Sequence, residues 1–555
     1  MQAPSHPPIA IVADAHFHDL EGDYGIAGIR VGNRTLAMRP FSQVVRSTRV
    51  FNESAAALRT SLDDIAVRGI RHVVLLGDYS DDGQVTTLAG LRRLLDLYAA
   101  RHGMRFYATP GNHDIFANQG RDRAKGFANI TGGHDLVTSD PERKRGEDDD
   151  SVVVWPDMRC LGYPDGLRAL PDIGFFGAPG ALLWETPFGA NSDPDVRRYR
   201  VRSAGGSIRE LVDGSYLVEP FEGVWLLMID ANVFAPLDRP NGEVAFADST
   251  DAGWNGMLRH KVFILGWMKN VSRRAREQGK ALLAFSHYPV LDPLDGTRDD
   301  ELALLGQTDM VRRVPDVEAG DALIDAGIQI HFSGHLHVND TARRETANGF
   351  LINVSVPSLV AFPAAYKIVT VQPGSAAIET VSIGEMALDA DLMVEYRRQA
   401  ARAGVETGGM LEAENYGEFL HAHLGHLVSR RHLKREWPET LAKSMRAMSL
   451  ADLGRQAGMK SDVELETLEG ISALDFLRDC YRVRMGSALG TAAIEPDRLA
   501  DYEHVASCYR SLPGGAQPGS AESFRLLFKM YDRYLSGLPS RNFAIDLATG
   551  QISER

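Results

Sequence analysis

The chain has 555 residues, with 60 Lys+Arg against 74 Asp+Glu and a formal net charge of −14. A hydrophobic fraction of 44% and a charged fraction of 24% are ordinary globular values, which excludes a disordered, collagen-like or coiled-coil chain. The length suits one large domain plus something smaller, or up to three domains.

No apolar run reaches the roughly 18 residues that a membrane span needs. The most apolar stretch, Phe350 to Ala365, is broken by Asn353, Ser355, Pro357, Ser358 and Pro363. An acidic balance without a dense basic stripe disfavours nucleic acid as the main partner, because its phosphates would be repelled. Cys160, Cys480 and Cys508 cannot build a disulfide framework and lack metal-ligand spacing. Three free thiols are expected. The start, Met1-Gln-Ala-Pro-Ser-His-Pro-Pro, has neither the charged nor the apolar region of a signal peptide. Two localisations are expected from it: cytoplasmic, or periplasmic or secreted with a signal already removed. Oligomeric state is left open.

In chain order, short β-branched runs at Ile9 to Ala13, His72 to Leu76, Phe106 to Thr109, Val224 to Ile229, Ala281 to Phe285 and Ile328 to Phe332 read as buried strands. Segments of helical period lie between them: Val44 to Arg68, Val85 to Arg101, Leu258 to Gln278 and Val317 to Ala326. Such alternation predicts a layered α/β domain. Tyr366 to Gln372 and Ala377 to Ile383 add two strands without helices, so the sheets should mix βαβ units with hairpins.

From Ile115 to about Gly214 the alternation breaks. This region carries an acidic run, Glu147 to Asp150, and a basic run, Arg197-Arg198-Tyr199-Arg200, both expected to be solvated surface. A structureless loop so long is improbable in a compact domain, so an insertion with structure of its own is expected. After about Gly384, strand signals vanish. Met386 to Arg402, Tyr416 to Arg431, Pro438 to Gln456, Ala473 to Gly486, Pro496 to Ser511 and Glu522 to Ser536 read as amphipathic helices. The expected organisation is residues 1–385 as a catalytic domain, with the insertion at about 115–214, and 386–555 as a C-terminal all-helical domain.

The chemistry sits just past the strand ends. The first strand is followed by Asp14-Ala15-His16, the second by Gly77-Asp78, and the third by Gly111-Asn112-His113-Asp114. The run at Ala281 leads to His287, and the run at Ile328 to Gly334-His335-Leu336-His337. Ligands of open α/β sheets bind at the carboxyl ends of the strands. Each item alone has a bland reading, since a His after a strand is usually structural and Gly-Asp is usually a turn. Five strand ends delivering such groups to one edge point to a site.

Asp14, His16, Asp78, Asn112, His287, His335 and His337 make seven N/O candidates, too many for one zinc ion. Two ions sharing a carboxylate would use them. Ligation by nitrogen and oxygen without thiolate suits Mn, Fe, Zn or Co. Glycines 77, 111 and 334 would let the backbone turn tightly against the ions.

These blocks resemble the calcineurin-like metallophosphoesterase superfamily, whose pattern is Asp-x-His, Gly-Asp, Gly-Asn-His-Asp/Glu, a later His, and Gly-His-x-His. The resemblance spans about residues 9–383. It implies a four-layer β-sandwich flanked by helices and a hydrolase that cleaves phosphoric esters, whether as phosphatase or phosphodiesterase. It implies two divalent or trivalent transition-metal ions: one on Asp14, His16, Asp78 and His337, the other on Asn112, His287 and His335, with Asp78 bridging. It further implies a metal-bound hydroxide as nucleophile and His113 as general acid, with Asp114 orienting the ring. The alternative is a non-catalytic metal-binding scaffold on the same fold that binds a protein partner.

His18 and Asp19 are extra groups near the first block, placed equally well near the ligands or at the surface. His421, His423, His426 and His432 read as exposed or capping histidines of the helical region. No GxxxxGK[ST] pattern is present, so a P-loop is not expected.

Overall fold

A computed structural model describes residues 6–239, 244–512 and 520–555. Two seven-stranded sheets form the sandwich. In the first, parallel strands Ile9–Val12, His72–Leu76 and Arg105–Thr109 lie side by side, and Ala365–Gln372 and Ser375–Ser382 continue the sheet antiparallel. In the second, Val224–Ile229, Ala281–Ser286, Ile330–Ser333 and Gly349–Ser355 run parallel, flanked by antiparallel Asp340–Thr346 on one side and by Tyr216–Phe221 and Leu183–Glu185 on the other.

The parallel strands are nearly continuous apolar runs because both faces are covered. All of Ile9–Val12 and Val224–Ile229 is buried. Helices Ser54–Val67, Val85–His102, Phe263–Glu277 and Val317–Asp325 connect strands in the order the alternation predicts. Two strands next to the site, Asp340–Thr346 and Gly349–Ser355, escape the sequence reading. The second lies inside the apolar stretch Phe350 to Ala365, where its pattern merges with the buried loop that follows.

The insertion has its own small sheet, Ala124–Ala128, His134–Thr138 and Ser151–Val154, and a hairpin of Arg198–Arg202 with Ile208–Val212. Its basic run is not all solvated. Arg197 is fully buried and donates to the carbonyls of Phe175 and Ser192, with its guanidinium 5.2 Å from the Trp184 ring centre.

Between Ala390 and Leu535 the described residues of the C-terminal region are helical, as expected, but the region does not stay helical to its end. Phe543–Asp546 pairs with Ser375–Ile378, and Ile552–Glu554 pairs with Phe543–Ile545, extending the first sheet by two strands. Strands of four and three residues are too short to show a period. One apolar cluster runs from Ile11 and Val74 through Phe362, Tyr396 and Phe419 to Phe476 and Phe543, so the core is continuous across residue 385. Among the described residues, no helix is long and apolar enough to cross a membrane.

Candidate metal centre

Turns at the carboxyl ends of the central strands carry the candidate ligands, and the backbone there is locked. Asp14 N donates to Gly77 O at 3.1 Å, and His16 N to Asp78 O at 2.8 Å, so the first two turns are stitched together. Asp14, His16, Asp78, His335 and His337 all have left-handed φ, between 40° and 71°. Non-glycine residues reach this region at about 1–3 kcal/mol each and cluster at functional sites. The glycines are equally constrained. A Cβ on Gly111 would lie 2.2 Å from Asp78 Oδ1, one on Gly77 2.4 Å from His287 Nδ1, and one on Gly334 2.4 Å from Asp14 Oδ2.

All seven candidate ligands converge. His16 Nε2 is 3.2 Å from His337 Nε2, and His337 Nε2 is 3.4 Å from Asp14 Oδ1. Asp78 Oδ2 stands between two sets of imidazoles, 3.8 Å from His16 Nε2 and 3.2 Å from His287 Nε2. Three overlapping groups of ligand atoms follow: Asp14 with His16 and His337, His16 with Asp78 and His113, and Asp78 with His287 and His335. Among the described residues, every group able to hold a metal belongs to this one site.

The donor set fits cations. Asn112 Oδ1 and His335 Nε2 are buried with no hydrogen-bond partner in the protein, an arrangement that costs free energy unless a cation or a donor meets them. His287 Nδ1 donates to Leu76 O at 3.1 Å, which turns Nε2 toward Asp78 and fixes the tautomer a metal needs. With protein groups alone, burial disfavours charge on His287, but Asp78 outweighs burial and pushes its pKa up to about 9. A bound cation would displace that proton.

The structure departs from expectation at Asp114. Its carboxylate accepts from Ser80 N at 2.9 Å, Ser80 Oγ at 2.8 Å and Gly111 N at 2.8 Å, and makes no hydrogen bond to His113. Neighbouring residues in a tight turn point apart, and Asp114 folds back to tie two metal-bearing turns together. Burial, and then Asp78, push its pKa up to about 8.

The carboxylate on His113 is Asp82, which pairs with its Nδ1. Asp82 lies beyond the Gly77-Asp78 block, in an Asp81-Asp82-Gly83 run that reads only as a turn in sequence and adopts φ of 74° at Asp82 and 62° at Gly83. Asp81 and Asp82 are fully buried and sit among four cations. Lys125 Nζ is 2.6 Å from Asp81 and 3.0 Å from Asp82, Arg49 is 2.9 Å from Asp81, Arg123 is 2.7 Å from Asp82, and Arg39 is 3.5 Å from Asp81. Burial opposes ionisation of Asp82, but Lys125 and Arg123 hold its carboxyl well below the usual range. Arg123 and Lys125 come from the insertion, which therefore supports the site from behind.

His18 and Asp19 do not reach the ligands. His18 Nε2 donates to Ala37 O at 2.9 Å, and Asp19 accepts from Arg93 at 2.7 Å. The C-terminal histidines are not the exposed groups expected. His423 is buried and donates to Val44 O at 3.1 Å, His426 is buried, and His432 pairs with Glu436 at 3.0 Å. The helical region packs over the metal edge, so His423 and His432 line a cavity of about 290 Å³ together with His16, Asp78, His113 and His335.

The family model of the calcineurin-like phosphoesterases matches residues 7–184, which hold Asp14, His16, Asp78, Asn112 and His113. His287, His335 and His337 lie beyond the match, and the fold brings them to the same edge. No curated protein matches the chain. Among solved structures, a dimetal phosphatase from Danio rerio is 13% identical over 68% of this chain and 97% of its own, with a TM-score of 0.28. A phosphopantetheinyl hydrolase from Mycobacterium tuberculosis is 14% identical over 64% of this chain and 91% of its own, with a TM-score of 0.24. Residues 7–184 thus match the calcineurin-like phosphoesterase domain, a family of metal-dependent hydrolases of phosphoric esters.

Proposed function

We propose that Asp14, His16, Asp78 and His337 hold one ion and Asp78, Asn112, His287 and His335 a second, and that His113 delivers the proton to the departing oxygen of the ester. Two ions so held would supply charge for the phosphoryl oxygens and lower the pKa of a coordinated water toward neutrality. The position of Asp78 Oδ2 between His16 and His287 supports a shared ligand.

The role of His113 rests on one observation: Asp82 occupies its Nδ1. The other ring nitrogen is then the one available to the cavity that His113 lines. Set between Asp82 and the cavity, the ring is placed to pass a proton to a leaving alkoxide. Arg49, also beside Asp82 at 3.6 Å, adds positive charge on the same side. Phe116 stacks on the ring, with centroids 5.7 Å apart, and fixes its plane.

The test uses metal-stripped protein reloaded with Mn²⁺, Fe²⁺ or Zn²⁺. It should bind two ions per chain and release nitrophenol from nitrophenyl or bis-nitrophenyl phosphate. The ratio of the two rates assigns monoesterase or diesterase. A fully loaded protein that hydrolyses neither would be the scaffold of the alternative reading.

A further inference from the structure

The cavity over the metal ligands has a second charged end. Its helical wall includes the π-helical turn Val428–His432, a rare geometry that often marks functional positions. This turn carries Arg431 into the cavity beside Leu424, Leu427 and Phe362.

Charges around the cavity are matched, with one exception. Arg49 pairs with Asp81, Arg313 with Asp251, Arg484 with Glu301, His432 with Glu436, and Asp309 with Arg312. Arg431 is half-buried, donates only to the backbone carbonyl of Arg46 at 2.8 Å, and forms no ion pair among the described residues. Burial and Arg435 work against its charge, while Asp309 and Glu436 support it without an ion pair. Most of its guanidinium donors are therefore free for an anion in the cavity.

Arg431 belongs to the helical wall of the cavity, whereas the candidate ligands stand on the strand-end turns of the opposite wall. A phosphoryl group held at the ligand edge would be met by the metals and Arg49 there, leaving Arg431 for a different part of the substrate, with Phe362, Leu424 and Leu427 lining the same cavity.

We propose that the substrate is a phosphate ester whose leaving group ends in a second anionic group, a carboxylate or another phosphate, bound by Arg431 as a specificity-determining residue. The proposal rests on the hydrolase reading above. A planar guanidinium matches either anion bidentately.

The test compares three esters on the Mn²⁺-loaded full chain: propyl phosphate, 3-(phosphonooxy)propanoate and propane-1,3-diyl bisphosphate. Wild type should favour at least one ester with an anionic tail over propyl phosphate by about 10–100-fold in kcat/KM, the range of a charge-assisted contact. Whichever ester leads identifies carboxylate or phosphate. Arg431→Gln should collapse that ratio toward one, and Arg431→Lys should restore part of it. The wild-type ratio alone decides the matter if the variants do not fold. A flat ratio with good turnover of nitrophenyl phosphate overturns this inference and spares the hydrolase reading. So does a preference that survives in Arg431→Gln. No turnover of any ester, nitrophenyl phosphate included, overturns both.

Discussion

The two walls of the cavity are built differently. On the sheet side, each candidate ligand stands one to four residues past a strand end, and the backbone is fixed by left-handed residues and by glycines that leave no room for a Cβ. On the helical side, His423, Leu427, Arg431 and Tyr481 come from helices as much as 58 residues apart and are placed only by packing. The first wall is local geometry repeated at five turns. The second is long-range burial, with freedom to change side chains while keeping the helices. Chemistry belongs to the rigid wall and selectivity to the packed one.

The sharpest way to break this division is to remove the second wall. Because the core is continuous and Phe543–Asp546 completes the first sheet, truncation after Gly384 should expose Tyr366, Val369, Ile378 and Phe362 and cost the fold itself. The truncated chain should be insoluble or bind hydrophobic dyes with no cooperative melt. A soluble, cooperative truncation that still turns over nitrophenyl phosphate would mean that the helical region is a separate module after all.

On the rigid wall, Asp78→Asn should have the next largest effect. Losing even an outer partner of a metal ligand costs about 10–100-fold in affinity, and a ligand shared by both sites should cost more at each. Metal content should fall below one ion per chain and activity should be nearly abolished. Two tightly held ions with ordinary turnover would remove Asp78 from its shared position.

His113→Ala should lose about 10²–10⁴-fold on alkyl phosphates, the usual worth of general-acid help, and far less on nitrophenyl esters, whose leaving group departs without a proton. Metal content should hold. Asp82→Asn should copy that leaving-group pattern in weaker form, because it acts through the ring. Asp114→Asn should instead lower stability by about 1–3 kcal/mol, since an amide cannot accept from both Ser80 and Gly111 without turning a donor on a donor. If Asp114→Asn shows the leaving-group pattern and Asp82→Asn does not, the roles assigned here are reversed.

These pairs also show where the sequence was legible. Strand ends followed by Asp, His or Asn could be read directly, because the ligand is a few bonds from the strand that places it. Adjacency did not say which way a side chain turns, so Asp114 was paired with His113 while Asp82, thirty-one positions back, went unread. Arg197 and His423 looked like surface groups because their burial depends on segments distant in the chain, Phe175 for one and Val44 for the other. Arg431 has the same character: nothing local distinguishes it from any exposed helical arginine.

The smallest effect concerns the joint between the walls. Glu53 is buried at the start of Ser54–Val67 and accepts from the hydroxyl of Tyr396, on the helix Ala390–Ala403, at 2.7 Å. Its Oε2 has no partner. Burial outweighs the Tyr396 contact and pushes the carboxyl up from 4.5 to about 7. The folded state therefore holds a proton that the unfolded chain has lost between these two values. Stability from this group is complete below about pH 4.5 and falls as pH rises through about 7. At about 1.36 kcal/mol per unit, the loss is at most ~3 kcal/mol. Glu53→Gln keeps an acceptor for Tyr396 and cannot ionise. Wild type and variant should melt together near pH 4.5, and the variant should gain on wild type as pH rises, levelling off above about pH 7.5. Taking the difference between the two proteins cancels the titration of the metal-site histidines. Parallel melting curves from pH 4.5 to 8 would show that water reaches Glu53 and that the joint is looser than its packing implies.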